Sequence, residues 1–375
     1  MKRPNILRTV VGVAALWSIL SATAWAASNE SVTVVGDWTI TITDLGELPG
    51  GTYSSAYGIN DTGKIVGVAA DGAGTLWTVQ WVSGQISVIP DLGGGLAVPE
   101  DLNDAGEIAG GQSLGGFLHL GIYWDAQNNP ILLPGLPNGS SSLVSAHAIN
   151  ASGHVVGMAQ EEGPNYFGHA VVWLASVFQT DLGFMGGGTY SEAYGINDLG
   201  HVVGVASVAS TEQHAFLWTN GQFTDLSTWI GGGAASIAYA INNNGDIVGV
   251  NSGVASLWQN GAVQALPMPA GISAYTPAID INDAGDIIAT GSKGYPIEVG
   301  VLWRNGESID LGTLPGGTIS RARRINAGGE IVGEANTPDS GPFHAVKWTV
   351  TPSAAAVFAD GFESGDTSAW SATVP

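Results

Sequence analysis

Apolar and polar residues alternate along this chain in short runs, and no window sustains a 3.6-residue period over the length of a helix. The stretch SEAYGINDLGHVVGVA (191–206) shows the pattern: two runs of β-branched or small residues joined by Asn-Asp-Leu-Gly. Asn opens a type I turn and Gly takes the left-handed position that follows, so the stretch predicts a β-hairpin. HAFLW (214–218) is a third apolar run and QFTDL (222–226) a fourth, joined through Asn220-Gly221. Asn-Gly favours a tight hairpin because both residues accept positive φ; Asn260-Gly261 and Asn305-Gly306 repeat the signal.

The hairpin recurs. An apolar residue, Asn, two residues, Gly, one residue and an apolar pair occur seven times, anchored on Asn60, Asn103, Asn150, Asn197, Asn242, Asn282 and Asn326. A tryptophan follows each by 16 to 23 residues: Trp81, Trp124, Trp173, Trp218, Trp258, Trp303 and Trp348. Four antiparallel strands in each unit of roughly 40 to 45 residues predict an all-β, seven-bladed β-propeller. The seventh unit ends at HAVKWT without a fourth strand, whereas WTITITDLG (38–46) stands before the first. That N-terminal strand is expected to complete the last blade and close the ring, which leaves no open edge between first and last blades. The tryptophans are the expected core, each burying roughly 200 Å², or ~5 kcal/mol gross.

The flanks read differently. Lys2, Arg3 and Arg8 precede an apolar run and then Ala24-Trp25-Ala26, the pattern of a signal peptide over 1–26 and of an exported protein. Residues 27–37 are expected as a linker, 38–350 as the propeller and 351–375 as a C-terminal tail. Without Lys2, Arg3 and Arg8, seven basic residues stand against 32 acidic ones, a net charge of −25. Nucleic acid is thereby excluded as a partner, since phosphate needs a basic surface. No later segment is apolar enough to span a membrane, and a monomer is expected. Cysteine is absent, so stability must come from burial rather than disulfides.

DLGELPGGTYSSAYGINDTGKIVGVA (44–69), HAFLW (214–218) and DLGTLPGG (310–317) together resemble the repeats of the bacterial extracellular HAF-repeat family. The likeness runs from about Thr43 to Thr349 and implies export and a repeated β fold, with no established activity. Only His169, His214 and His344 occupy the family's histidine position; Trp77, Leu120, Val254 and Val299 stand in the others. The ending VFADGFESGDTSAW resembles C-terminal segments of exported proteins of Gram-negative bacteria, which implies sorting or attachment.

Candidate chemistry is sparse. DINDAGD (280–286) resembles a calcium loop, but its third ligand is misplaced, so the asparagines read as turn formers and no cofactor is expected. The three histidines read as strand-end hydrogen-bonding groups rather than a zinc site. Comparing units is more informative. Four residues before the key Asn stands Ala in six of the seven; three before it the units read Tyr57, Glu100, His147, Tyr194, Tyr239, Ile279 and Arg323. A variable aromatic and charged position in a rigid repeat is a candidate binding surface for a glycan or protein. Arg321, Arg323 and Arg324, three of the seven basic residues, are candidates for an anionic group or for pairing with nearby acids. The longer, variable loops lie on the rim opposite the Asn turns, where binding is therefore expected. No catalytic constellation is identifiable. The leading expectation is a secreted, non-catalytic propeller binding a glycan or protein at or outside the cell surface. A propeller hydrolase or lyase acting on extracellular polysaccharide is the alternative, and a purely structural surface repeat is the third. Facing carboxylates in the central channel would favour the enzyme.

Overall fold

A computed structural model describes residues 29–353 apart from 114–118, 138, 162–166, 175–177, 209–211 and 231–234. The segment expected as a signal peptide over 1–26, most of the expected tail over 351–375 and part of the loop after Met158 thus fall outside the described residues. The chain is all-β, and among the described residues the only helical turns are the short 3₁₀ segments Leu226–Ile230 and Pro338–Ser340.

Four sheets are four-stranded antiparallel meanders, exemplified by Ser191–Ile196, Val202–Val208, Glu212–Thr219 and Gln222–Asp225. Two further meanders are joined into one sheet by a single parallel bridge between Leu143 and His119. In the remaining sheet the strand Trp38–Asp44 lies antiparallel beside Phe343–Pro352, the last strand of the chain, with Ile42 opposite Trp348. Residues Glu30–Val35, within the expected linker, form a fifth strand on its outer edge. Their Val and Thr residues favour extended backbone, and every residue of the strand except Ser31 is exposed.

The hairpin reasoning holds at every unit. The glycines of the seven turns, Gly63 through Gly329, have φ between +75° and +86°. Each key Asn also has a role beyond its own turn. The Oδ1 of Asn197 accepts from the amides of Leu199 and His201, while its Nδ2 donates to the carbonyl of Asn242, one unit along, at 3.0 Å. The same inter-unit bond links Asn60 to Asn103, then to Asn150, Asn197, Asn242, Asn282 and Asn326. Asn326 donates in turn to the carbonyl of Asn60 at 3.2 Å, so the circuit returns to its start.

Apolar clusters lie between neighbouring sheets, and one joins Ala56, Ile65 and Trp81 of the first unit to Val332 and Ala345 of the last. Six of the seven repeated tryptophans are buried, five of them essentially completely. Trp218 is the exception and corrects the expectation: it is only partly buried, packed at the margin of a cluster whose centre is taken by the fully buried Phe216.

Every first strand carries a β-bulge, seen as a register shift such as Ala193/Gly195 opposite Gly204/Val203. In each unit the skipped residue is the variable one, Tyr57, Glu100, His147, Tyr194, Tyr239, Ile279 or Arg323. A bulge kinks the strand and re-aims side chains. In six of the seven units the second strand accommodates it with glycine: a Cβ at Gly204 would lie 2.0 Å from the carbonyl oxygen of Glu192, and Gly67, Gly110, Gly157, Gly249 and Gly333 are equally tight, whereas the sixth unit carries Ala289. Gly204→Ala is expected to cost about 1–3 kcal/mol through overpacking and to displace Glu192. The check is the chemical denaturation midpoint, and an unchanged value would refute the close approach.

Candidate functional site

The first strands of all seven units converge, and their bulged residues line one cavity of about 590 Å³. All eight residues singled out as candidates for binding, Tyr57, Glu100, His147, Tyr194, Tyr239, Arg321, Arg323 and Arg324, lie on its wall with Ile279, Thr276, Thr290 and Glu298. None of the key asparagines lines this cavity. A separate, smaller cavity sits among the Asn turns and is lined by all seven key asparagines.

Two carboxyl groups in the main site are driven to opposite behaviour. Glu192 accepts hydrogen bonds from the hydroxyl of Tyr194 at 2.8 Å and from that of Tyr190, and His147 Nε2 lies 2.9 Å from its other oxygen. Burial alone would raise its pKa, but His147 and the two hydroxyls outweigh burial and hold it below the ordinary glutamate value. Glu100 forms no hydrogen bond among the described residues. Burial pushes its pKa up, against the opposing charges of Arg324, His147 and Arg323. A carboxyl whose pKa is raised thus lines the cavity, while one whose pKa is lowered is buried behind its wall, bonded to the lining residues His147 and Tyr194.

The arginines are arranged around further acids. Arg321 bonds Glu298 at 2.6 Å and Glu334 at 3.0 Å, and Arg323 shares the buried Glu334 at 3.3 Å. The Arg323 guanidinium stands 4.4 Å from the centre of the Tyr57 ring. Arg324 lies below, 3.7 Å from Asp101, and burial raises Asp280 beside it to about 6 despite the arginine's opposing charge. Stacked rings extend the wall, with His147 and Tyr194 at 5.2 Å and Tyr194 and Tyr239 at 5.3 Å.

Comparison between units from sequence identified Glu100, His147 and the tyrosines but missed Glu192, Glu298 and Glu334. Glu192 stands two residues before Tyr194 on the same strand, where other units carry Ser55, Val98, Ser145, Ile237, Pro277 and Arg321. Extending the comparison by one period of two would have found it. Glu334 lies opposite Arg321 across a strand pair, a partnership that only the register reveals.

The repeated histidines sit at strand ends. His169 pairs with Asp181 at 3.0 Å, His214 with Asp225 at 2.8 Å and His344 with Asp44 at 2.8 Å, the last joining the two ends of the propeller region. Asp44, Glu47 and His344 are the group among the described residues with ligand atoms close enough for a metal ion. Both ring nitrogens of His344 already face carboxylates, Glu47 at 2.7 Å on the other side, an arrangement that suits an imidazolium. Burial alone would lower its pKa, but Asp44 and Glu47 overcome this and raise it from 6.5 to about 9. Proton binding at His344 is therefore coupled to folding. Its contribution is complete below pH 6.5 and is lost as pH rises through about 9. In His344→Gln this part of the fall in melting temperature between those limits is expected to vanish, and an identical slope in variant and parent would contradict the clamp.

No family model and no characterised protein matches the sequence. Solved structures do. A study of two prolyl endopeptidases, concerned with inter-domain dynamics in catalysis and specificity, supplies one at 10% identity and TM-score 0.58, covering 82% of this chain and 51% of that one. A puromycin hydrolase mutant supplies another at 15% identity and TM-score 0.50, covering 85% and 52%. The β-propeller domain of the Trilobed protease from Pyrococcus furiosus matches at 9% identity and TM-score 0.49, over 76% and 96%. This chain spans about half the length of the first two. The structural neighbours are β-propeller proteins, in keeping with the all-β architecture of four-stranded antiparallel sheets. They also correct the expectation of a non-catalytic binding protein, because these neighbours are hydrolases and the enzyme alternative is the one they favour. At such identities the likeness speaks for the fold, and the chemistry must be argued from the cavity.

Proposed function

We propose that this chain is an exported seven-bladed β-propeller hydrolase acting on extracellular polysaccharide at its central cavity. The observation that carries the reading is Glu100, a carboxyl on the cavity wall without a hydrogen bond among the described residues, whose pKa burial raises, with Glu192 bonded behind the wall residues His147 and Tyr194 and its pKa lowered by them. Hydrolysis of a glycosidic bond uses this division. Glu100 gives its proton to the departing glycosidic oxygen, and Glu192, with His147 beside it, accepts a proton from the attacking water. Tyr57, Tyr194 and Tyr239 offer ring faces on which sugars stack. A volume of about 590 Å³ is in the range of small-ligand sites.

Seven units are supported by the seven strands that share the cavity and by the Asn circuit that returns to Asn60. Closure by the N-terminal strand is supported by its pairing with Phe343–Pro352. The signal-like N-terminus and the resemblance to HAF repeats support export. Among the described residues no helix is long and apolar enough to cross a membrane. The test is incubation of the mature protein with a panel of extracellular polysaccharides, with and without calcium, reading reducing ends. Release from at least one member is expected, and an ultraviolet-absorbing unsaturated product would assign elimination instead of hydrolysis. Silence across the panel would overturn the reading.

A further inference from the structure

The main cavity has a neighbour. A second cavity of about 380 Å³ shares Tyr57, Glu100 and His147 with it and runs outward past Leu96, Val98 and Val144 to Ser113 and His119. Glu100 thus stands on the wall common to two spaces of unlike character. On one side are the arginines, on the other a lining that is largely apolar.

The arginine side has a donor to spare. Arg324 is engaged by Asp101 and by backbone carbonyls, and Arg321 by Glu298 and Glu334. Through Nη2, Arg323 makes one long contact to Glu334, which Arg321 holds more closely; its Nη1 makes no hydrogen bond among the described residues, and the side chain is 32% exposed. A guanidinium edge left open at a cavity wall is a donor for a ligand, and a planar carboxylate is the acceptor that its geometry matches. The Tyr57 face beneath Arg323 fixes the plane of the guanidinium. In a mature chain with seven basic residues, an arginine left partly unpaired at the wall of the main cavity marks a site for an anion.

We propose that the substrate is an acidic polysaccharide, with the carboxylate of one uronic-acid residue docked on Arg323 and the adjoining sugar in the second cavity, so that the bond between them lies at Glu100. The proposal rests on the hydrolase reading above and adds the substrate class and the position of the cut. The glycosidic C–O bond breaks, the leaving oxygen takes the Glu100 proton, and water supplies hydroxide to the sugar carbon and a proton to Glu192. Two separate spaces on either side of the acid call for cutting within a chain rather than removal of a terminal unit.

The experiment measures binding by calorimetry and cleavage by product analysis on the mature protein. The probes are galacturonate oligomers, the same oligomers with methyl-esterified carboxyls, and neutral galactose oligomers. The acidic oligomers are expected to bind tightest, and Arg323→Gln is expected to weaken them about ten- to a hundredfold while leaving the neutral ones unchanged. Arg323→Lys, which keeps the charge without the fork, should recover part of the loss and guards against a folding artefact. Ser113→Trp, at an exposed position of the second cavity, should remove the affinity that a trisaccharide gains over a monosaccharide. Equal binding of acidic and esterified oligomers, or an unaffected Arg323→Gln variant, would overturn the carboxylate site. Binding of acidic oligomers without cleavage would leave that site standing and remove the hydrolase reading. Cleavage of neutral oligomers alone would do the reverse.

Discussion

Replacement of Glu100 by Gln is expected to lower kcat on a cleavable polysaccharide about 10²- to 10⁴-fold, the usual range for loss of a positioned general acid. Gln keeps the volume and removes the proton to be donated. Because Glu100 is bonded to nothing among the described residues, the fold should be indifferent to the change, and circular dichroism and melting temperature should match the parent. The pH profile supplies a second readout. Glu100 must be protonated and its pKa is raised by burial, so activity falls as pH rises through that value. Glu192 must be ionised and its pKa is lowered, so activity falls on the acid side as pH drops through it. Parent enzyme should thus show a bell, and Glu192→Gln should lose the acid limb. A Glu100→Gln variant with half the parental rate would end the assignment.

The largest expected loss of stability is at Trp348. It is fully buried beside Ile42, Ile331, Val346 and Val350, where the N-terminal strand meets the C-terminal one. Trp348→Ala is expected to cost about 3–5 kcal/mol, from lost burial and the cavity left behind. Trp218→Ala should cost clearly less, because Trp218 is only partly buried and Phe216 holds the centre of its cluster. Urea midpoints of the two variants separate these cases, and equal shifts would refute the distinction.

The same two residues mark how far the sequence could be read. The Asn-x-x-Gly turns, the Asn-Gly turns and the tryptophan spacing identified the strands and their grouping, because a hairpin is encoded by the φ preferences of a few adjacent residues. The equivalence of Trp218 to the other six tryptophans failed because burial depends on which neighbour already fills the space, and Phe216 is two residues away on the same strand. The strand at Glu30–Val35 was missed for a similar reason, since its stability comes from the partner strand beside it.

For the site, comparison among the units found the position at which they disagree, and with it Glu100, His147, Tyr194 and Arg323. What that comparison lacked was direction. A bulge carries these residues out of ordinary alternation, and in six units a glycine on the second strand lets the carbonyl five residues before the Asn approach within about 2 Å of where a Cβ would be, while the sixth unit bulges with Ala289 in that place. The partnership of Glu192 with His147 spans 45 residues, and that of Arg323 with Glu334 depends on strand register. By itself the amino-acid sequence determined a repeated β-hairpin unit, its number and its variable position, because turn chemistry and side-chain period are local. Which carboxyl has its pKa raised by desolvation, and which has it lowered by histidine and tyrosine, was decided only where seven strands converge, because desolvation and charge pairing depend on neighbours that the chain brings together from distant units.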